Sequence, residues 1–172
     1  LKHVLRNPSY ITKFLVIYSD SYLLFSMVLQ IGDKAPEFTL KDAFEKEISL
    51  SDFKGKRVII YFYPKDNTPG CTKQACSLRD NMKSLEKNNL KIIGISKDSE
   101  KSHSNFTTKH NLNFDLVSDV DKVIIKLYGV LNDKGSASRK SFLLDENHII
   151  LKVWDKVNTA NHGEEVLNFL NE

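Results

Sequence analysis

The chain predicts an α/β fold: a mixed central sheet covered by helices on both faces, with a hairpin at its N-terminal edge. Three observations carry that prediction. Two continuous apolar runs, Val58 to Tyr63 and Leu90 to Ser96, have the length and composition of strands buried on both faces. A helical pattern, with apolar residues every three or four positions, follows the first, and a polar helical stretch from about Glu100 to His110 follows the second. Toward the C-terminus two further runs, Lys140 to Asp145 and Ile149 to Trp154, turn at Glu146-Asn147 and precede a last helical stretch.

Size and composition bound the rest. With 172 residues, 41% of them apolar, the chain can bury one core, and the pattern assigns residues 27–172 to a single domain. A net charge of +3, with no long block of like charge, excludes a nucleic-acid surface. No uninterrupted apolar stretch is long enough for a membrane span. Two closely spaced cysteines are too few for a secreted disulfide framework and point to redox chemistry in a reducing compartment, the cytoplasm.

Residues 1–26 differ in character, being rich in Tyr, Leu and Ser with Asp20 as their one acidic residue. Phe14 to Tyr18 is short for a secretory signal core, and Ser19-Asp20-Ser21 interrupts it. Lys2, Arg6 and Lys13 in an acid-poor segment also fit a transit peptide, which would move the protein to an organelle. The plainer expectation is an extension upstream of a start at Met27, with no folded role.

From Met27 the elements follow in order. Gly32 to Pro36 is turn-like; Glu37 to Leu40 alternates as an edge strand and Lys46 to Leu50 pairs with it. Ser51 to Lys56 is a turn before the first buried strand, Arg57 to Tyr63. Cys71, Ala75, Leu78, Met82 and Leu85 predict one helix from Cys71 to about Lys87, ended by Asn88-Asn89. After the strand Leu90 to Ser96 come a helix from about Glu100 to His110, a strand from Phe114 to Ser118 and a short helix from Val120 to Tyr128. The closing hairpin precedes a helix from His162 to Leu170.

The chemistry concentrates in YFYPKDNTPGCTKQAC, Tyr61 to Cys76. A buried strand ends at Pro64, a turn-rich link follows, and a cysteine stands where the next helix begins. Unpaired N–H groups and the positive end of the helix dipole favour a thiolate there, so Cys71 reads as an activated nucleophile. The other cysteine, Cys76, lies five residues on. On a helix that is roughly 140° of rotation and about 7.5 Å of rise. Disulfide formation requires Cα atoms within about 7 Å, so joining the pair requires this turn to unwind.

Pro64 to Cys71 matches the pattern PxxxTxxC, and the segment from Tyr61 to Asp80 resembles the peroxiredoxins, in the subfamily of bacterioferritin comigratory protein, or peroxiredoxin Q. The likeness runs from Ile31 nearly to the C-terminus through GDKAPEF, VIIYFYPKD, IIGIS, SFLLD and NTANHGEEVLNFL. It implies a thioredoxin-like fold and a thiol-dependent peroxidase acting on hydrogen peroxide and alkyl hydroperoxides. Regeneration by thioredoxin, a monomeric state and the absence of any cofactor or metal belong to the same implication. Cys71 then attacks the peroxide and Cys76 resolves the sulfenic acid. The Thr68 hydroxyl is expected to accept a hydrogen bond from peroxide while donating to the thiolate, and Pro64, which has no N–H, to shield the sulfur. Arg139 alone would read as a surface arginine at a strand start; the resemblance assigns it to the sulfur and the peroxide oxygen. Arg79-Asp80 reads as a structural ion pair.

Two departures accompany the likeness. Gln74 stands where glutamate is common in this helix, and residues 131–138, LNDKGSAS, are shorter than the corresponding loop of many relatives. The rival enzyme reading is a thioredoxin-like thiol-disulfide oxidoreductase, whose usual C-x-x-C differs from the C-x-x-x-x-C here. A zinc module is the other rival, but His103, His110, His148 and His162 lack the paired spacing of such sites.

Overall fold

The computed structural model describes residues 28–172, so the expectations for residues 1–26 and a start at Met27 lie outside the described residues. The strands are β1 (Thr39–Asp42), β2 (Glu47–Ser49), β3 (Arg57–Phe62), β4 (Leu90–Ser96), β5 (Asp115–Ser118), β6 (Lys140–Leu144) and β7 (Ile150–Trp154). The helices are α1 (Pro69–Asp80), α2 (Met82–Lys87), α3 (Glu100–His110), α4 (Val123–Leu127) and α5 (His162–Leu170), with a 3₁₀ turn at Leu50–Phe53.

One sheet of seven strands runs in the order β2-β1-β5-β4-β3-β6-β7. β3, β4 and β5 are parallel, with helical crossovers leading from β3 to β4 and from β4 to β5. β6 lies antiparallel to β3 and β7 to β6, while the β1–β2 hairpin adds antiparallel strands on the far side of β5.

Strand β3 explains why its sequence reads as an unbroken apolar run. Alternate residues serve two cores: Val58, Ile60 and Phe62 pack on one face with Ile93, Ile95, Phe142, Ile125 and Tyr128. Ile59, Tyr61 and Tyr63 pack on the other with Cys71, Ala75, Leu78, Leu85, Phe106 and Val166. Helices α1, α2, α3 and α5 contribute to the second core, and α4 to the first. Gly94, opposite Tyr61 in the ladder, leaves room for that ring: a Cβ there would sit 2.7 Å from the phenol oxygen.

Several boundaries differ from expectation. The edge strand starts at Thr39 rather than Glu37, and α4 starts at Val123 because the Asp119 carboxylate takes the amides of Val123 and Ile125. The single helix expected from Cys71 to Lys87 is two. Asn81 interrupts it with φ −93° and ψ 0°, and its amide donates to the carbonyl of Ser77 at 2.9 Å. Leu78, Met82 and Leu85 stay buried across the break, so the apolar period continues through it.

Candidate active site

The helix that carries Cys71 begins two residues earlier than the sequence suggested. Thr68 is its N-cap residue and Pro69 its first helical residue, a position where the missing N–H costs nothing. Cys71 is therefore third in the first turn, still among the unpaired amides of the helix start. Its side chain is only 1% exposed, which restricts approach to a small reagent. Cys76, in the interior of the same helix, is half-buried, and both cysteines are free.

Arg139 comes to the sulfur from the strand on the other side of β3. Its position is set by the β6 register, which pairs Lys140 with Phe62 and Ser141 with Tyr61. The guanidinium donates from Nη2 to Cys71 Sγ at 3.3 Å and from Nη1 to Gln74 Oε1 at 2.6 Å. The planar fork is thus held at one tine by a buried amide while the other faces the sulfur. Gly70 permits the approach, since a Cβ there would stand 3.1 Å from Nη2. The sequence drew attention to Gln74 as a departure; its contact with Arg139, and the room that Gly70 leaves, require the fold.

The described structure brings Cys71 and Arg139 together and sets Cys76 apart on a different face of α1. Thr68 does not donate to the sulfur as expected: its hydroxyl turns back to the carbonyl of Lys65 at 3.1 Å. That bond closes the link locally and leaves the helix cap without a side-chain hydrogen bond. Pro64 is half-buried at the end of β3, at the start of this link. Arg79 forms the expected pair with Asp80 at 2.7 Å and also donates to the carbonyl of His110. Among the described residues no three His, Cys, Asp or Glu side chains gather in a metal-binding arrangement, and no helix is long and apolar enough to cross a membrane.

Beneath the link lies a polar cluster that sequence spacing could not show. Asp66 is buried, accepting from the Tyr63 hydroxyl at 2.7 Å and the Ser102 hydroxyl at 2.7 Å, with His103 Nδ1 at 2.9 Å. Burial pushes the Asp66 carboxyl up, but the hydrogen bond and charge of His103, with Ser102 and Tyr63, outweigh it and hold the group below its ordinary value. Burial raises the phenols of Tyr61 and Tyr63 well above their usual range, so both stay neutral.

A second buried histidine sits where α5 meets α1. His162 Nε2 lies 3.0 Å from the Ser141 hydroxyl, and the next residue's amide, Gly163 N, donates to Ser77 Oγ on α1. Burial, aided by the charge of Arg139, pushes His162 down to about 4. The unfolded chain then binds the extra proton first as pH falls. The contribution of neutral His162 to stability is full above 6.5 and drains away between 6.5 and about 4. The loss over that window is about 3 kcal/mol at most. Denaturant titrations from pH 7 to 4 are expected to show that decline, and His162→Gln to flatten it.

Known proteins resemble the chain over most of its length. Residues 31–153 match the profile of the AhpC/TSA family. A putative peroxiredoxin bcp of Coxiella burnetii is 46% identical over 151 residues, covering 84% of this chain and 100% of that protein. Among solved structures, a PrxQ mutant of Xylella fastidiosa superposes with a TM-score of 0.79 at 34% identity, covering 83% of this chain and 96% of the other. The bacterioferritin comigratory protein of Xanthomonas campestris, studied for alkyl peroxide reduction with trapped intermediate and ligand complexes, gives 0.73 at 33% identity over 78% of this chain and 90% of its own. Identity at this level, sustained over nearly the whole length of the relatives, means that the chain belongs to the AhpC/TSA family and, within it, to the peroxiredoxins of the Bcp and PrxQ type.

Proposed function

We propose that the chain is a thiol-dependent peroxidase that reduces hydrogen peroxide and organic hydroperoxides through Cys71 and is returned to its dithiol by thioredoxin. The observation that carries this reading is the Arg139 guanidinium 3.3 Å from a buried sulfur in the first turn of a helix. A thiolate there attacks one peroxide oxygen. The O–O bond breaks, the second oxygen leaves with a proton as water or alcohol, and Cys71 becomes a sulfenic acid. Charge develops on the leaving oxygen, and a fixed guanidinium stabilises it without reorganising. On this reading Thr68 positions the peroxide once its hydroxyl leaves the Lys65 carbonyl, and Pro64 shields the sulfur from water.

Cys76 then attacks the sulfenic sulfur, water departs, and a Cys71–Cys76 disulfide forms. The two residues lie in one helix, so this step requires α1 to unwind between them. A thioredoxin dithiol reduces the disulfide by exchange. The kinship with alkyl peroxide-reducing and bcp proteins supports the substrate class. No cofactor enters these steps. The reading places the protein as a monomer in a reducing compartment, the cytoplasm.

One equivalent of hydrogen peroxide added to reduced protein is expected to convert both free thiols into one intramolecular disulfide, located by mass spectrometry to the peptides holding Cys71 and Cys76. Thiols unchanged by peroxide, together with rapid reduction of insulin disulfides, would instead establish the thiol-disulfide oxidoreductase reading.

A further inference from the structure

The two ends of α1 are held by different means. Its C-terminal half is fastened to α5 by the Gly163 amide on Ser77 Oγ at 3.0 Å. The contact is so close that a Cβ on Gly163 would lie 2.4 Å from the Ser77 carbonyl oxygen. With that end fixed, the sulfur that must travel during resolution is Cys71, and the backbone that must yield is the link before it. The link's anchorage is the Asp66 side chain, with the Asp66 amide donating to Asp98 Oδ2 at 3.0 Å as a second tie to the end of β4.

Each polar side-chain atom of this anchor has a partner. His103 Nε2 faces the Val117 carbonyl at 3.3 Å, and a carbonyl only accepts, so Nε2 carries a proton. Nδ1 faces the Asp66 carboxyl, which also accepts from Ser102 and Tyr63. His103, fully buried on α3, is thus paired with the Asp66 carboxyl at 2.9 Å. A buried cluster with every polar group partnered holds the link more firmly than exposed contacts hold an ordinary loop.

We propose that the Asp66–His103 pair is a latch that sets the balance between the wound, peroxide-reactive α1 and the unwound form in which Cys76 captures the sulfenic acid. Asp66 and His103 touch neither sulfur nor peroxide; they are positioning residues acting through the Pro64–Thr68 link. The proposal rests on the peroxidase reading above. Loosening the latch slows the first chemical step, which needs the helix turn formed, and speeds the second, which needs it open. Damage to the fold of a general kind would slow both.

The test uses the intact chain, Asp66→Asn and Asp66→Ala, in single-turnover experiments that follow peroxide consumption and disulfide formation separately. Asparagine can still accept from Tyr63 and donate to a neutral His103, so it keeps the bonds without the charge, and it serves should the alanine variant fail to fold. Asp66→Ala is expected to lower the peroxide rate constant about tenfold and raise the disulfide rate severalfold, with Asp66→Asn between it and the intact chain. Amide exchange across residues 66–76 is expected to rise in the same order. Both rates unchanged, or both lowered together, would overturn the latch while leaving the peroxidase reading in place. No peroxide consumption by the intact chain would remove both.

Discussion

Cys71→Ser is expected to abolish peroxide turnover, and Cys76→Ser to allow one turnover per chain before the cycle stalls. The first effect follows from chemistry, because a serine hydroxyl in the same pocket is a far weaker nucleophile than a thiolate and has no sulfenic state to form. The second follows from the placement of the two thiols. Cys76 is half-buried in the interior of α1, away from the Arg139 guanidinium that serves Cys71, so its loss leaves the first step untouched. In Cys76→Ser the sulfenic acid accumulates, and excess peroxide carries it on to the sulfinic acid. A thioredoxin-coupled assay with whole-protein mass spectrometry reads both outcomes. Sustained multiple turnover by Cys71→Ser would refute the assignment of the nucleophile, and equally sustained thioredoxin-driven turnover by Cys76→Ser the assignment of the resolving thiol.

Arg139→Leu is expected to lower the peroxide rate constant by about two orders of magnitude, the usual cost of removing one preorganised donor to a developing oxyanion. Its two hydrogen bonds run to different partners, Cys71 Sγ and Gln74 Oε1. Lysine supplies a point charge but no fork, so it cannot reproduce both contacts with fixed geometry. Arg139→Lys is therefore expected to fall between the two. Stopped-flow peroxide kinetics on the reduced proteins measures the effect, and an unchanged circular dichroism spectrum shows that the fold survives. A rate constant for Arg139→Leu within a factor of two of the intact chain would leave the guanidinium with a structural role only.

The parts of this molecule that could be read from its sequence are those governed by local pattern. Val58 to Tyr63 declared a strand buried on both faces because both faces are apolar. Glu100 to His110 and His162 to Leu170 were placed as observed, the first between a capping Ser99 and a left-handed Asn111. Cys71 stood out because strand, proline and turn precede it. The break at Asn81 did not, because it disturbs no apolar position: Met82 and Leu85 remain buried beyond it. What interrupts the helix there is a side-chain amide on a backbone carbonyl. The turn of Thr68 toward Lys65 depends on a rotamer that spacing cannot supply. Asp66 and His103 are 37 residues apart, and only the packing of α3 against the end of β3 makes them partners. As isolated residues they were a loop aspartate and one scattered histidine among several.

The division of β3 between two cores has a mechanical meaning for the redox cycle. In the proposed cycle, the apolar side chains packed around Cys71 belong to the layer containing Ala75, Leu78 and Val166. The layer built on Val58, Ile60 and Phe62 lies behind the sheet and shares no side chain with it. The sheet thus works as a bulkhead. One compartment can be opened, repacked and closed at each catalytic turn, while the other stays sealed and holds the register to which the reactive helix returns.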